Sequence, residues 1–374
     1  MLPRTGIHCC DDARHLARRR LPWMVFDYID GAAGEGHGEA MNRTALRDLR
    51  LQPRILRNVK TRDLGVKVFD HDANVPFGVS PMGMCNLSTP GADLMLARMA
   101  ARYKTPVGVS TVASTSLEKM IDAADGHAWF QLYFSGDGSG TMKLVERAKT
   151  AGYKTLVLTL DVPEVGRRPR ELRHGFKMPF RIGPRQFVDF ALHPRWSLSS
   201  LAKGKPQMAN FPDGADAFDR TESRAAADWS YLDRLRAKWP GKLVVKGVLS
   251  VEDAKHLKKA GVDAIQVSSH GGRQLDSAPP PILMLAAIRK AVGPRFPLFY
   301  DSGLRSGEDI IKAYAMGANF AFLGRPFLFA MAAKGEAGLA QLWDVLNDEI
   351  SLTLAQIGQT AMTDLNHCLM PDIT

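Results

Sequence analysis

Cysteine is scarce: four residues in 374, two of them adjacent (Cys9 and Cys10) and two far apart (Cys85 and Cys368). That spacing supports neither a disulfide framework nor a thiolate metal site, and it suits a reducing, cytosolic compartment. No apolar run approaches the ~20 residues that a membrane-spanning helix requires. The N-terminus carries arginines but no apolar stretch with a cleavage site, so no secretory signal is expected. A Gly-x-Gly-x-x-Gly turn after the first strand is also missing, which counts against a doubly wound dinucleotide fold. Acidic residues are outnumbered, 39 Asp and Glu against 49 Lys and Arg, for a net charge of +10. The excess favours anionic partners such as acidic substrates, lipid headgroups or nucleic acid, without choosing among them.

What remains is ordinary globular composition, 45% hydrophobic and 24% charged, in a chain long enough for one large barrel or two domains. From residue 75 the apolar pattern becomes regular. Short runs at Val75–Ser80, Pro106–Ser110, His127–Leu132, Thr155–Asp161, Lys242–Gly247, 263–268, Pro297–Ser302 and Asn319–Gly324 read as strands. Stretches at 91–103, 116–124, 139–151, 251–260, 281–291, 307–316 and 336–357 read as helices. Eight strands alternating with helices predict an α/β fold, a (β/α)8 TIM barrel, with 1–374 as a single domain. The rhythm breaks over residues 170–228, an insertion between strand 4 and strand 5. Upstream, residues 12–30 hold a basic, leucine-bearing segment and then Trp23 to Asp30, and Gly31 to Gly38 break any helix there.

In a barrel, chemistry gathers at the C-terminal ends of the strands. Those ends carry Ser80 to Gly83, Ser110, Gln131 with Tyr133, Thr159 with Asp161, Lys246, Ser268 with His270 and Arg273, Asp301 with Arg305, and Gly324 with Arg325. Each alone suits a cap or a turn; polar groups at all eight ends do not reduce to packing. The sixth end is the densest, Ser268-Ser269-His270-Gly271-Gly272-Arg273-Gln274-Leu275-Asp276. Histidine exchanges protons near neutral pH. Arginine holds a carboxylate with two parallel hydrogen bonds. Paired glycines let a ligand approach the backbone. Gly303, Arg305, Gly324 and Arg325 follow strands seven and eight, where barrels bind phosphate. Lys246 offers a charge that stabilises an anionic reduced cofactor. The residues therefore read as a phosphate-anchored cofactor, a histidine base and an arginine-held carboxylate substrate.

The run Ser-x-His-Gly-Gly-Arg-Gln-Leu-Asp, followed by Asp-x-Gly-x-Arg and Gly-Arg-Pro, resembles the FMN-dependent L-2-hydroxy acid oxidase and dehydrogenase family over about Leu21 to Thr360. The stretches 175–179, 192–198 and 206–211 are similar to the internal segment of its membrane-associated (S)-mandelate dehydrogenase branch, with L-lactate dehydrogenases also near. The resemblance implies oxidation of a mandelate- or lactate-like L-2-hydroxy acid to the 2-keto acid, with FMN as cofactor, no metal, no nucleic acid, and a homotetramer. Carried over residue by residue, it makes His270 the base and Asp161 the acid that stabilises its imidazolium. Arg273 and Tyr28 would hold the substrate carboxylate, Arg168 would be a second, more mobile arginine, and Tyr133 would bond the substrate. Pro81, Gly83, Ser110, Gln131, Thr159, Lys246 and Ser268 would bind the flavin ring and ribityl chain. Asp301, Gly303, Arg305, Gly324 and Arg325 would bind ribityl hydroxyls and phosphate. Ser269, Met82 and Ser302 depart from the residues usual in the family.

The insertion is unusual in charge. From Phe176 to Phe211 it holds six basic residues (Lys177, Arg181, Arg185, Arg195, Lys203, Lys205) against Asp189 alone, a local +5, together with Phe176, Phe180, Phe187, Phe190, Trp196 and Phe211. Basic groups with exposed aromatics read as a segment lying in a membrane interface; a lid over the active site is the other reading. Asp213 to Asp228 reads as a polar loop. In the resembled family, oxidases commonly have Ala where Gly83 stands, and quinone-linked enzymes have Gly. The expectation is a cytoplasmic enzyme, peripheral on the inner face of the cell membrane, that passes electrons to a membrane quinone-type acceptor. The rivals are a peroxide-forming oxidase of the same family, an FMN barrel of different chemistry, and a non-catalytic flavin-binding membrane scaffold. An FMN barrel of other chemistry gives no reason for the Arg168, Arg273 and Tyr28 set, and a scaffold has no need of His270 paired with Asp161.

Overall fold

A closed ring of eight parallel strands forms the centre of the computed structural model, which describes residues 5–136, 138–176, 182–204, 207–211 and 223–370. The strands are β1 (Phe77–Met82), β2 (Val107–Val109), β3 (Ala128–Leu132), β4 (Thr155–Thr159), β5 (Lys242–Val248), β6 (Ala264–Val267), β7 (Leu298–Tyr300) and β8 (Phe320–Leu323). Each pairs with its neighbours in sequence order, and β8 closes onto β1. This is the (β/α)8 barrel expected from the eight apolar runs. Near-continuous apolar strands form because both faces are buried, inward against the opposite wall and outward against helices. Most observed strands are shorter than the predicted runs, but β1 is shifted two residues toward the site and β5 runs one residue longer.

The barrel is plugged from below. Trp129, Val157, Val244, Phe299, Phe320 and Phe322 fill its interior. A two-stranded hairpin, Val66–Val68 with His71–Ala73, lies beneath them, and Phe69 at its turn packs on Trp129 and Phe299 at 5.5 and 5.3 Å. The closed floor leaves the other mouth for ligands.

Helices Cys10–Arg20, Trp23–Asp30 and His37–Asp48 precede the barrel. Asp276, the last residue of the densest motif, fixes the segment between the last two. It accepts from the amides of Glu35 (3.0 Å) and Gly38 (2.9 Å) at the entry to His37–Asp48. The predicted 336–357 helix is the second part of a longer one, Arg325–Gln356, broken at Lys334 and Gly335.

The insertion departs most from expectation. It lies between β4 and its own barrel helix, Trp229–Lys238, which Asp228 caps by accepting from the Tyr231 amide. Within it, Pro184–Leu192 and Pro194–Lys203 are helical, each opened by a proline. Residues 177–181, 205–206 and 212–222, and with them Lys177, Phe180, Arg181, Lys205 and most of the Asp213 to Asp228 loop, lie outside the described residues. Of the remaining aromatics, Phe187 is exposed, whereas Trp196 is buried and Phe176, Phe190 and Phe211 are half-buried. The exposed apolar surface is mainly aliphatic: Ile182, Val188, Leu192, Leu198 and Leu201 beside Phe187. Trp196 turns inward because its ring nitrogen donates to the Leu87 carbonyl at 2.8 Å and Phe190 packs on it. Asp189 is buried and accepts from the amides of Trp23 and Met24, capping the helix that carries Tyr28.

Candidate active site

The mouth of the barrel holds a cavity of about 1220 Å³, part of it open to solvent. Beneath it lie two hydrogen-bonded clusters drawn from strand ends. Ser110 after β2 donates to Gln131 Oε1 (3.1 Å), and Gln131 Nε2 donates to Thr159 Oγ1 at the end of β4 (3.1 Å). Lys246 on β5 is buried between Ser268 Oγ (2.6 Å) and Asp301 Oδ2 (3.0 Å). Gln266 and Ser302 also donate to the Asp301 carboxylate. Burial alone would push Asp301 up, but Lys246 and the Ser268 and Ser302 hydroxyls hold its carboxyl below the usual range. The second cluster is therefore a charge pair surrounded by fixed dipoles, and Lys246, Pro81 and Gly83 reach the cavity surface.

The chain leaves β6 through a strained turn. His270, Gly271 and Gly272 have φ of +55, +64 and +73°. Only the two glycines adopt that region without cost; the histidine is held there by its surroundings. Its amide donates to Ser268 Oγ (3.0 Å), and the Ser269 and Gly271 amides donate to Ser302 Oγ (3.2 and 3.0 Å). Ser269 itself faces away, its hydroxyl accepting from Asn42 at 2.8 Å. The turn presents the His270 ring to the cavity with Nδ1 3.0 Å from Asp161 Oδ1. An ionised Asp161 accepts from Nδ1–H and leaves the Nε2 lone pair to accept a proton. Burial lowers the His270 pKa from its ordinary value; Asp161 opposes that shift, and Lys246 and Arg168 add to it. The lowered pKa favours the neutral ring. Gly247 makes room for this pair. At φ +97°, it would place a Cβ 2.5 Å from Asp161 Cβ.

Arg273 and Arg168 stand beside the base. Arg273 Nη1 donates to the carbonyls of Tyr28 (2.9 Å) and Gly31 (2.7 Å), and its guanidinium lies 5.5 Å from the Tyr28 ring. Arg168 Nε donates to the Arg273 carbonyl (3.3 Å) and Nη2 to Gln274 (3.0 Å). The Tyr28 ring stacks on Phe176 at 4.5 Å. Burial, with help from Asp161, pushes the Tyr133 hydroxyl up to about 12 against Arg224 and Arg168, so it stays a donor.

At the far end, Gly303, Gly324, Arg305 and Arg325 line the cavity. Arg305 pairs with Glu39 at 3.1 Å. The Arg325 side chain donates to the carbonyls of Ile29, Gly31 and Gly271, and burial lowers its pKa to about 10, which leaves it charged at neutral pH. Of the expected site residues, thirteen line the cavity, Asp161 backs His270, and Ser110, Gln131, Thr159 and Ser268 lie behind the lining. Two others were not anticipated. Glu171, buried on the short helix Pro169–Arg173, contacts both Arg273 and Arg168. Arg224, also buried, lies 5.1 Å over the Tyr133 ring and lines the cavity. Glu171 had a signal, a carboxylate three residues after Arg168 on a proline-opened helix; Arg224, in a polar stretch, had none.

Residues 17–371 match the FMN-dependent dehydrogenase family, and the chain belongs to that family of flavin-linked oxidoreductases. Within it, the chain is 39% identical over 363 residues to (S)-mandelate dehydrogenase of Pseudomonas putida, covering 95% of this chain and 92% of that protein. It is 33% identical over 378 residues to L-lactate dehydrogenase of Pectobacterium atrosepticum, covering 98% of each. Among solved structures, the monotopic membrane protein (S)-mandelate dehydrogenase superposes with a TM-score of 0.93 at 37% identity, covering 98% of this chain and 100% of that one. A mandelate oxidase variant with (S)-mandelic acid gives 0.84 at 33% identity, covering 98% of each. The cavity fits the family's cofactor. Glycines and two arginines line one end of it, and a buried cation, Lys246, lies on its floor. Gly83 has no room for a side chain on that wall, since a Cβ there would meet Val112 Cγ2 at 2.5 Å.

Proposed function

We propose that this chain oxidises an L-2-hydroxy acid, mandelate- or lactate-like, to the 2-keto acid. The observation that carries the reading is His270, backed by Asp161 at 3.0 Å, at a cavity mouth flanked by Arg273 and Arg168. Pro81, Gly83, Lys246 and the Ser110–Gln131–Thr159 and Ser268–Asp301 parts of the floor would hold the FMN ring and ribityl chain. Gly303, Arg305, Gly324 and Arg325 would hold its phosphate end. When bound, FMN supplies the two-electron acceptor. The protein does the rest. Arg273, with Arg168 and Tyr28, holds the substrate carboxylate, and Tyr133 donates to the substrate oxygen. His270 Nε2 takes one proton from the substrate, and the resulting imidazolium is stabilised by Asp161. FMN, held by the residues above, would accept the electron pair and the second proton.

The electron acceptor in this reading is a membrane quinone. Phe187, Val188, Leu198 and Leu201 project from two short helices that also carry exposed Arg185, Arg195 and Lys203, a pattern suited to an anionic bilayer surface. Among the described residues no helix is long and apolar enough to cross a membrane, so the attachment would be peripheral, on the inner face. The family resemblance adds a homotetramer, which sedimentation checks. A peroxide-forming oxidase is the second reading, favoured by the likeness to mandelate oxidase. Anaerobic bleaching of the flavin by a panel of L-2-hydroxy acids tests the reaction: no bleaching by any of them overturns it. Reoxidation by a soluble quinone analogue far faster than by air supports the dehydrogenase, and equal rates support the oxidase.

A further inference from the structure

Glu171 is placed where a resident carboxylate needs a reason. Its Oε1 lies 2.8 Å from Arg273 Nη2 and 3.5 Å from Arg168 Nη1, and the residue is buried. Substrate recognition, on the reading above, needs those same guanidiniums for an incoming carboxylate. A carboxylate already beside them repels that ligand unless it contributes more than it costs. Two contributions follow from the geometry. Two arginines packed this close and largely dry are unstable without a counter-ion. Further, the remaining contacts of both side chains given above are to neutral acceptors: the carbonyls of Tyr28, Gly31 and Arg273, and the Gln274 side chain. Glu171 is a carboxylate that both contact.

We propose that Glu171 is a positioning residue for substrate binding, which aims Arg273 and Arg168 at one carboxylate and sets the charge they present. Two guanidiniums that share one carboxylate keep positive charge available to an incoming carboxylate. The inference rests on the proposed function for its substrate, so its test reads binding rather than turnover.

The experiment uses the FMN-loaded enzyme and the perturbation of its flavin spectrum by phenylacetate, which has no hydroxyl to oxidise, and by phenylacetamide, its neutral counterpart. Glu171→Leu should weaken phenylacetate binding roughly 10- to 100-fold, the usual scale for losing an aimed guanidinium, and change phenylacetamide binding less than twofold. Glu171→Asp should recover most of the loss. Glu171→Gln keeps the shape and removes the charge, so phenylacetate binding should weaken, by less than in Glu171→Leu, while phenylacetamide binding stays within twofold. Equal changes for acid and amide, or an unchanged acid affinity, would overturn the proposal. If Glu171→Leu fails to retain FMN, Glu171→Gln decides by the same comparison of acid and amide. Wild-type enzyme that no hydroxy acid bleaches, yet binds phenylacetate in a Glu171-dependent way, would sink the proposed reaction and leave this inference standing.

Discussion

Replacing Asp161 by Asn tests the proposed base without removing it. The two side chains are 3.0 Å apart and mostly shielded from water. Opposite charges at that distance attract by about 5 kcal/mol at an effective dielectric of about 20. Part of this is returned by the hydrogen bond that an asparagine still makes, leaving ~2–4 kcal/mol of imidazolium stabilisation to lose. At 1.36 kcal/mol per decade, flavin reduction should slow roughly 30- to 1000-fold. The amide adds a second effect. If its NH2 faces Nδ1, the ring must carry its proton on Nε2, where it accepts nothing. The pH dependence has a definite sign. Burial already holds His270 below its ordinary pKa, and Asp161 opposes that shift. Removing the carboxylate lowers the pKa further, so the acid limb of the reduction rate moves to lower pH while the plateau falls. The assay is anaerobic stopped-flow reduction at saturating hydroxy acid, with flavin content measured first. A rate within twofold of wild type, with an unmoved acid limb, would refute the role assigned to the pair.

Three further outcomes are expected. Arg273→Lys should weaken substrate binding and slow reduction, since an ammonium cannot reproduce the planar fork; equal losses for a hydroxy acid and its amide, in steady-state kinetics, would mark Arg273 as structural. Gly83→Ala puts a methyl against Val112 at 2.5 Å, so the single variant should bind flavin more weakly than Gly83→Ala with Val112→Ala; the reoxidation rates of both by air and by quinone, compared with wild type, show whether this position governs the acceptor. Phe187→Ser with Leu198→Ser and Leu201→Ser should cut binding to anionic vesicles roughly 100-fold or more, from the apolar burial forgone, and leave flavin reduction intact, as co-sedimentation and bleaching would show.

The barrel was legible because its strands are buried on both faces and so read as apolar runs between turns. The site was legible because eight polar strand ends cannot all be packing. Elsewhere the local signal was weak. The hairpin strands Val66–Val68 and His71–Ala73 are three residues each and show little alternation. Trp229–Lys238 follows a polar stretch, although Asp228 is a good cap and the Tyr231, Leu232, Leu235 spacing is helical. Trp196 reads as an interfacial aromatic because its partner, the Leu87 carbonyl, is 109 positions away. Glu171 sits in a run of charges that resolves only when Arg273 arrives from the sixth strand end.

The two helices of the insertion carry two messages in one stretch. The outward set, Phe187, Val188, Leu198 and Leu201, answers to whatever the protein rests upon and is free to drift with it. The inward set answers to the barrel: Asp189 on the Trp23 and Met24 amides, Trp196 on Leu87, and then Asn210, whose side chain accepts from Leu117 and donates to the Ser110 and Thr111 carbonyls. Those stitches end at the helix of Tyr28 and at the loops after β1 and β2. The segment is therefore not a cassette. Exchange between relatives works residue by residue on its outer face, whereas a transplant that ignores the inner face unpicks the rim of the active site.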